Sequence, residues 1–373
     1  MLIHHVEARV LDMPLRLPFR TSQSLEVSRR AILIRVDTDR GPGWADLAVE
    51  DHPIFGHEFI ESTRLALRTV LVPALAGEVS GARVAAALGR VAGHRAAKSA
   101  LEMAILDAQL RASGLSLSEY LGGTRDRVRV GVSIGITETV DELIGLVEGY
   151  LADGYSRIKL KVQPGWDEIL IGRVRAAIGD DVELQVDGNG AYTSADVAHL
   201  ARFERYGLTM LEQPFPTADL RSHIRLAAAT SVPVCLDESI GSAAEALAAI
   251  ESGACSVVNI KPARVGGYLE ARRIHDVCAA ASIPVWCGGM LESGVGRAQN
   301  LALASLPNFL LASDISATDR YFARDITERF DLVDGALPVP TGPGSGVTVD
   351  LEAVEDFTVA RDDYEPAKEP SHV

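Results

Sequence analysis

Positive charge is scarce in this chain. Thirty-six Lys and Arg residues stand against 51 Asp and Glu, a formal net charge of -15, so the surface as a whole repels nucleic-acid backbones and anionic membranes. An anionic small molecule must therefore be drawn in by a local cluster of cations. Long apolar runs are missing as well. None reaches the length that spans a bilayer, and the opening MLIHHVEARVLDMPLRL has no basic segment followed by an apolar stretch of the kind export signals use. The expectation is a soluble, cytoplasmic protein with no nucleic-acid or membrane partner. Cysteine is limited to Cys235, Cys255, Cys278 and Cys287, irregularly spaced within apolar segments and without a CxxC. That excludes a secreted disulfide framework and predicts small buried hydrophobes in a reducing compartment.

What is present is core material. With 373 residues, 47% of them hydrophobic, the chain can bury a sizeable interior and is expected to pack as two domains. Residues 2–11, 31–36 and 44–49 are short, largely apolar runs, and the turn residues TDRGPG, Thr38 to Gly43, separate the last two. They read as an antiparallel meander. From Ala96 to Ala112, Ala100, Met103, Ala104, Asp107 and Ala108 recur at the spacing of one helix face. The first hundred or so residues thus form an α+β unit.

From about Val128 the pattern becomes α/β. Eight apolar runs, RVGVSIGI, SRIKLKV, VELQVDG, LTMLEQP, VPVCLDES, SVVNIKP, IPVWCGG and NFLLASD, alternate with helical stretches, which predicts a closed parallel barrel. Asp187, Glu212, Asp237 and Pro262 each follow the last by 25 residues, one strand plus helix plus two loops. After Asp314 the chain is irregular and is expected to return to the N-terminal unit. Its GPGSG is no phosphate loop, because no Gly-Lys-Ser/Thr follows. The predicted domains are 1–125 (capping), 126–320 (barrel) and 321–373 (return segment).

Asp187, Glu212 and Asp237 each end a predicted strand, and in a parallel barrel all such ends face one mouth. Converging carboxylates need a cation, and an oxygen-only set suits Mg²⁺ better than zinc. Any one of them could instead cap the following helix, but three consecutive, evenly spaced strand ends argue for a shared role. Lys159 and Lys161, two apart on one strand, share a face. On an open sheet Lys-x-Lys is a solvated edge, whereas a barrel strand has no solvent-facing side. Lys261 ends the sixth strand, across the barrel from Lys161, which is the geometry of a two-base reaction. Nearby positive charge makes a lysine a usable base; Lys159 and the metal are the expected perturbers of Lys161. Arg264 could act likewise on Lys261, or be an ordinary surface arginine. The glycines of CGGMLESGVG, Cys287 to Gly296, would admit backbone N–H groups to an anion or simply make a tight turn.

These residues resemble the enolase superfamily, in which a Lys or His base works with magnesium to stabilise an ene-diolate. More narrowly, RIKLKVQPGWD, LQVDGNGAY, CLDES, NIKPARVGGYLEARRIHDVCA, VWCGGMLESGVGRAQNLALASLPNF and PVPTGPGSGV resemble the N-succinylamino acid racemase and o-succinylbenzoate synthase subfamily of the muconate lactonizing subgroup, over nearly the whole chain. The resemblance implies a modified TIM barrel of (β/α)7β type with an N-terminal α+β capping domain. It implies Mg²⁺ or Mn²⁺ on Asp187, Glu212 and Asp237, and proton exchange by Lys161 and Lys261 with Lys159 assisting. It further implies substrate contacts at Ser133, Asn189, Gly289 and Met290, with Arg264 and Glu238 behind them, and a homo-oligomer acting on a small carboxylate. Loops around Phe19 to Ser22 and Val49 to His57 would select the substrate; these diverge most from the family pattern. Gly188, where relatives more often have alanine, is expected to matter little for metal binding.

The alternatives differ in one feature each. Mandelate racemase-like members use a histidine from the later barrel strands, whereas here Lys261 fills the sixth-strand position and no His stands at the seventh-strand end. Dipeptide epimerases typically present an acidic pair on the eighth strand, where this chain reads Ser313, Asp314, Ile315, Ser316. Muconate-type cycloisomerases share both lysines and are separated only by weaker motif resemblance. A catalytically silent carboxylate-binding barrel would lack a lysine or a metal ligand, and none is missing. Racemisation and the dehydration of menaquinone biosynthesis begin with the same proton abstraction and stay open.

Overall fold

The computed structural model describes residues 1–21, 24–54 and 56–367. The N-terminal unit is an antiparallel sheet of β1 (Ile3–Arg20), β2 (Leu25–Thr38) and β3 (Gly41–Leu47), with the last strand of the chain, Thr358–Tyr364, added beside β1. β1 and β2 run well past the apolar segments that mark them in the sequence. Pro14, Arg16 and Pro18 break the alternation there, yet pairing resumes after a register shift between Pro14 and Phe19. The result is a two-stranded ribbon reaching beyond the sheet. Ser22 and Phe55, within the expected selecting loops, lie outside the described residues.

The predicted helix spans Arg95–Ser113 and lies against β3 and β2. Asp107 looks out of place on its apolar face, but it is fully buried and accepts hydrogen bonds from the backbone N–H groups of Trp44 (3.0 Å) and Ser345 (2.6 Å) and from Arg111 (2.7 Å). An acid inside this face therefore ties the helix to the sheet and to the C-terminal segment.

After Arg127–Arg129, which is β4 and pairs with Ala336–Pro338, comes a seven-stranded parallel sheet. Its strands are β5 (Val132–Ile134), β6 (Arg157–Lys161), β7 (Glu183–Asp187), β8 (Met210–Glu212), β9 (Val234–Leu236), β10 (Val257–Ile260) and β11 (Val285–Cys287), in sequential order. The eighth run forms no regular strand, but Phe309 bridges Val285 and Ser313 bridges Val130, both in parallel sense. Both edges of the sheet are thus joined through it.

Period two divides every strand. Ile158, Leu160, Val186, Leu211, Leu236, Val258 and Ile260 point outward into the main core beneath the helices. The opposite parity fills the barrel. Met210, Cys235, Val257 and Trp286 make a small apolar plug, and the next inward positions toward the mouth are Glu212, Asp237, Asn259 and Gly288. All four cysteines are buried and unpaired. No helix among the described residues is long and apolar enough to cross a membrane.

Candidate active site

A cavity of about 700 Å³ lies between the barrel mouth and the N-terminal unit. The barrel contributes Lys159, Lys161, Asn189, Asp237, Glu238, Lys261 and Arg264 to its wall, together with Ser133, Gly289 and Met290; Phe19, Val49 and His57 come from the N-terminal side. Asp187 and Glu212 stand behind the lysines, each about 1% exposed.

Asp187 and Glu212 are direct cross-strand partners. Lys161 donates to Asp187 Oδ2 and to Asn189 Oδ1, both at 2.7 Å. Lys159 is buried among Glu212 (3.0 Å), Asp187 (3.3 Å) and Asp314 (2.5 Å). Burial works against its charge, but Asp314, Glu212 and Asp187 outweigh that and hold the ammonium well above the ordinary lysine range. For Asp187, too, burial opposes ionisation, and the charges of Lys161 and Lys159 more than reverse it, keeping the carboxyl below its usual range. Glu212 moves the other way, pushed up by burial and then by Asp187. Lys261 donates to Asp237 Oδ2 at 2.7 Å. Arg264 is no surface residue: it contacts Asp237 Oδ1 and donates to the carbonyls of Ile240 and Asn259.

Among the described residues, no three His, Cys, Asp or Glu side chains are gathered as a metal-holding group. Each of the three carboxylates instead faces a lysine. The donor chemistry nonetheless fits a hard divalent cation: three almost fully buried carboxylates, oxygen donors only, at the ends of three consecutive strands.

Several supporting groups escaped the sequence. Arg157 points into the barrel with Lys159 and Lys161, as its parity on RIKLK could have told. It pairs with Asp314 (2.6 Å) and lies, like Lys159, over the Trp286 ring. Gln185 and Asn259 donate to the two oxygens of Glu212. Gln213 accepts from the backbone N–H groups of Asp237 and Ser239, fixing the loop that carries Asp237. Gly288 is a packing requirement, since a Cβ there would sit 2.4 Å from Asn259 Oδ1 and 2.6 Å from Lys261 Cε. At Gly188 the nearest neighbour, Pro214 Cα, would be 3.0 Å away, so alanine needs only a small shift. Asn189, Gln213 and Leu291, all on mouth loops, have left-handed backbones, and such conformations persist where a site over-determines them.

The fold and this mouth define an α/β-barrel enzyme of the enolase type. The profile of the mandelate racemase / muconate lactonizing enzyme N-terminal domain matches residues 5–122, and that of the enolase C-terminal domain-like family matches residues 142–354. The chain belongs to the enolase superfamily. An N-succinylamino acid racemase from Amycolatopsis is 51% identical over 95% of this chain and 97% of its own. An o-succinylbenzoate synthase from Geobacillus kaustophilus is 42% identical over 95% and 96%. The crystal structure of an enolase superfamily member from Listeria innocua superposes with a TM-score of 0.93 at 36% identity, covering 98% of this chain and 99% of that one.

Proposed function

We propose that this enzyme removes the proton beside the carboxylate of an N-acylated amino acid and returns one to the opposite face, racemising N-succinylamino acids. The observation that carries the reading is the pair Lys161 and Lys261, at the ends of β6 and β10 with three strands between them, over one cavity. Whole-length similarity to a racemase and to an o-succinylbenzoate synthase supports the reaction class and keeps dehydration to o-succinylbenzoate, a step of menaquinone biosynthesis, as the second reading.

Lys161 is aimed by two acceptors, Asp187 and Asn189; as the free amine it takes the proton from one face. Lys261, aimed by Asp237, serves the other face as ammonium, and the roles exchange for the other enantiomer. Lys159 stays charged and attracts the substrate carboxylate. Asp187, Glu212 and Asp237 would hold Mg²⁺ or Mn²⁺, which when bound supplies the positive charge that an ene-diolate requires. In dehydration, Lys261 need contribute only positive charge.

Asp314 bears on the substrate nitrogen. Both of its oxygens are engaged, by Arg157 and Lys159, which leaves no free carboxylate there for a substrate ammonium and favours an acylated nitrogen over a dipeptide amine. The test is incubation of each enantiomer of an N-succinylamino acid in D₂O with Mg²⁺. Deuterium should enter the α-position from both; none from either would overturn the reading.

A further inference from the structure

Arg320 lies behind the cavity wall without touching the cavity, and it is 7% exposed. Its guanidinium sits over three rings at once, with centroid distances of 4.8 Å to Tyr150, 4.8 Å to Tyr321 and 6.0 Å to Phe19. It also donates to the backbone carbonyl of Ser133 at 2.8 Å. Phe19, Ser133 and Tyr321 all line the cavity, and they come from three places far apart in sequence: the β1 ribbon, β5, and the turn of helix Thr318–Tyr321. One buried cation is the common neighbour of all three.

We propose that Arg320 is a positioning residue for substrate selection, holding Phe19, Tyr321 and Ser133 as one wall against the part of the substrate remote from the reacting carbon. This rests on the proposed amino-acid substrate. Phe19 and Tyr321 belong to a small core that packs the N-terminal unit on the barrel loops, together with Leu11, Leu291 and Phe322. That core supplies adhesion without direction; a planar cation flanked by ring faces adds orientation. Ser133 Oγ is buried in the wall with no partner in the protein, so where it points depends on the strand that Arg320 grips. Behind Arg320 lies a second cavity of about 550 Å³, lined by Arg16, Tyr150, Tyr155 and Asp319 among others.

The test compares Arg320→Met, which keeps an apolar stem, with Arg320→Lys, which keeps the cation. For the N-succinylamino acid, Arg320→Met should raise KM roughly tenfold, the scale of a lost charge-assisted hydrogen bond, with kcat within about threefold. Arg320→Lys should recover part of the loss by restoring charge beneath the rings. An unchanged KM in Arg320→Met, or a fall in kcat alone, would overturn the assignment. If Arg320→Met does not fold by circular dichroism, Arg320→Lys decides by the same KM. Calorimetric affinity for the same compound separates this inference from the reaction: a wild-type protein that binds but does not exchange the proton refutes the reading of function, and the affinity ratio still judges Arg320. A wild-type protein that neither binds nor exchanges refutes both.

Discussion

Lys161, the last residue of β6, and Lys261, the first residue past β10, stand across the barrel mouth from each other, each donating to its own strand-end carboxylate at 2.7 Å. The two lysine–carboxylate pairs, Lys161 with Asp187 and Lys261 with Asp237, are built alike on opposite sides. A planar carbanion between them would have a proton carrier on either face.

The three strand-end carboxylates are expected to need a divalent cation for turnover. We expect kcat/KM for racemisation and for dehydration to fall at least about a hundredfold after chelation and to return with Mg²⁺, since stabilising the ene-diolate is worth several kcal/mol. Asp187→Asn should weaken Mg²⁺ binding by calorimetry. Activity indifferent to chelation would remove the metal from the mechanism.

Gly288→Ala tests how closely Lys261 is placed. The new Cβ would lie 2.6 Å from Lys261 Cε and 2.4 Å from Asn259 Oδ1, so the lysine must move. A misplacement of this order costs up to about a hundredfold in kcat, and crowding the buried Asn259 should cost about 1–3 kcal/mol, read as a lower melting temperature. Wild-type kcat would show that the lysine stem has room the packing denies.

Asp314 gives a pH dependence with a definite sign. Burial opposes its ionisation, but Arg157 and then Lys159 hold it down to about 2. Its folded value lies below the ordinary one near ~3.9, so it contributes stability present above about pH 4 and lost as pH falls toward 2, roughly 2–3 kcal/mol. Urea unfolding across that window should show the loss, and Asp314→Asn should be less stable at pH 6 with a shallower slope in acid. Parallel curves for the two proteins would contradict the pairing.

The strand-end residues were legible because the β/α repeat puts Asp187, Glu212 and Asp237 at one mouth and period two turns Lys159 and Lys161 inward. The chain's lysines are Lys98, Lys159, Lys161, Lys261 and Lys368, so three of them stand in the barrel mouth, and a scarce residue placed there carried a strong signal. Arg157 obeys the same parity and was readable in principle. Its partner Asp314 was not, because the eighth run joins the barrel only through bridges and its register follows from closure of the ring. The ribbon of β1 and β2 was hidden for a different reason: its prolines interrupt the alternation and its few buried side chains, Met13, Phe19 and Arg29, leave no apolar period to read. The sequence left Arg264 open between a role beside Lys261 and an ordinary surface arginine, because only the tertiary fold brings Asp237 against it.

The most direct measurement is α-proton exchange in D₂O, followed for each enantiomer of an N-succinylamino acid with Lys161→Ala and Lys261→Ala, both checked for native circular dichroism. Each variant should lose racemisation by roughly 10²–10⁴-fold or more. Racemisation retained at the wild-type rate by either folded variant would contradict the two-base assignment.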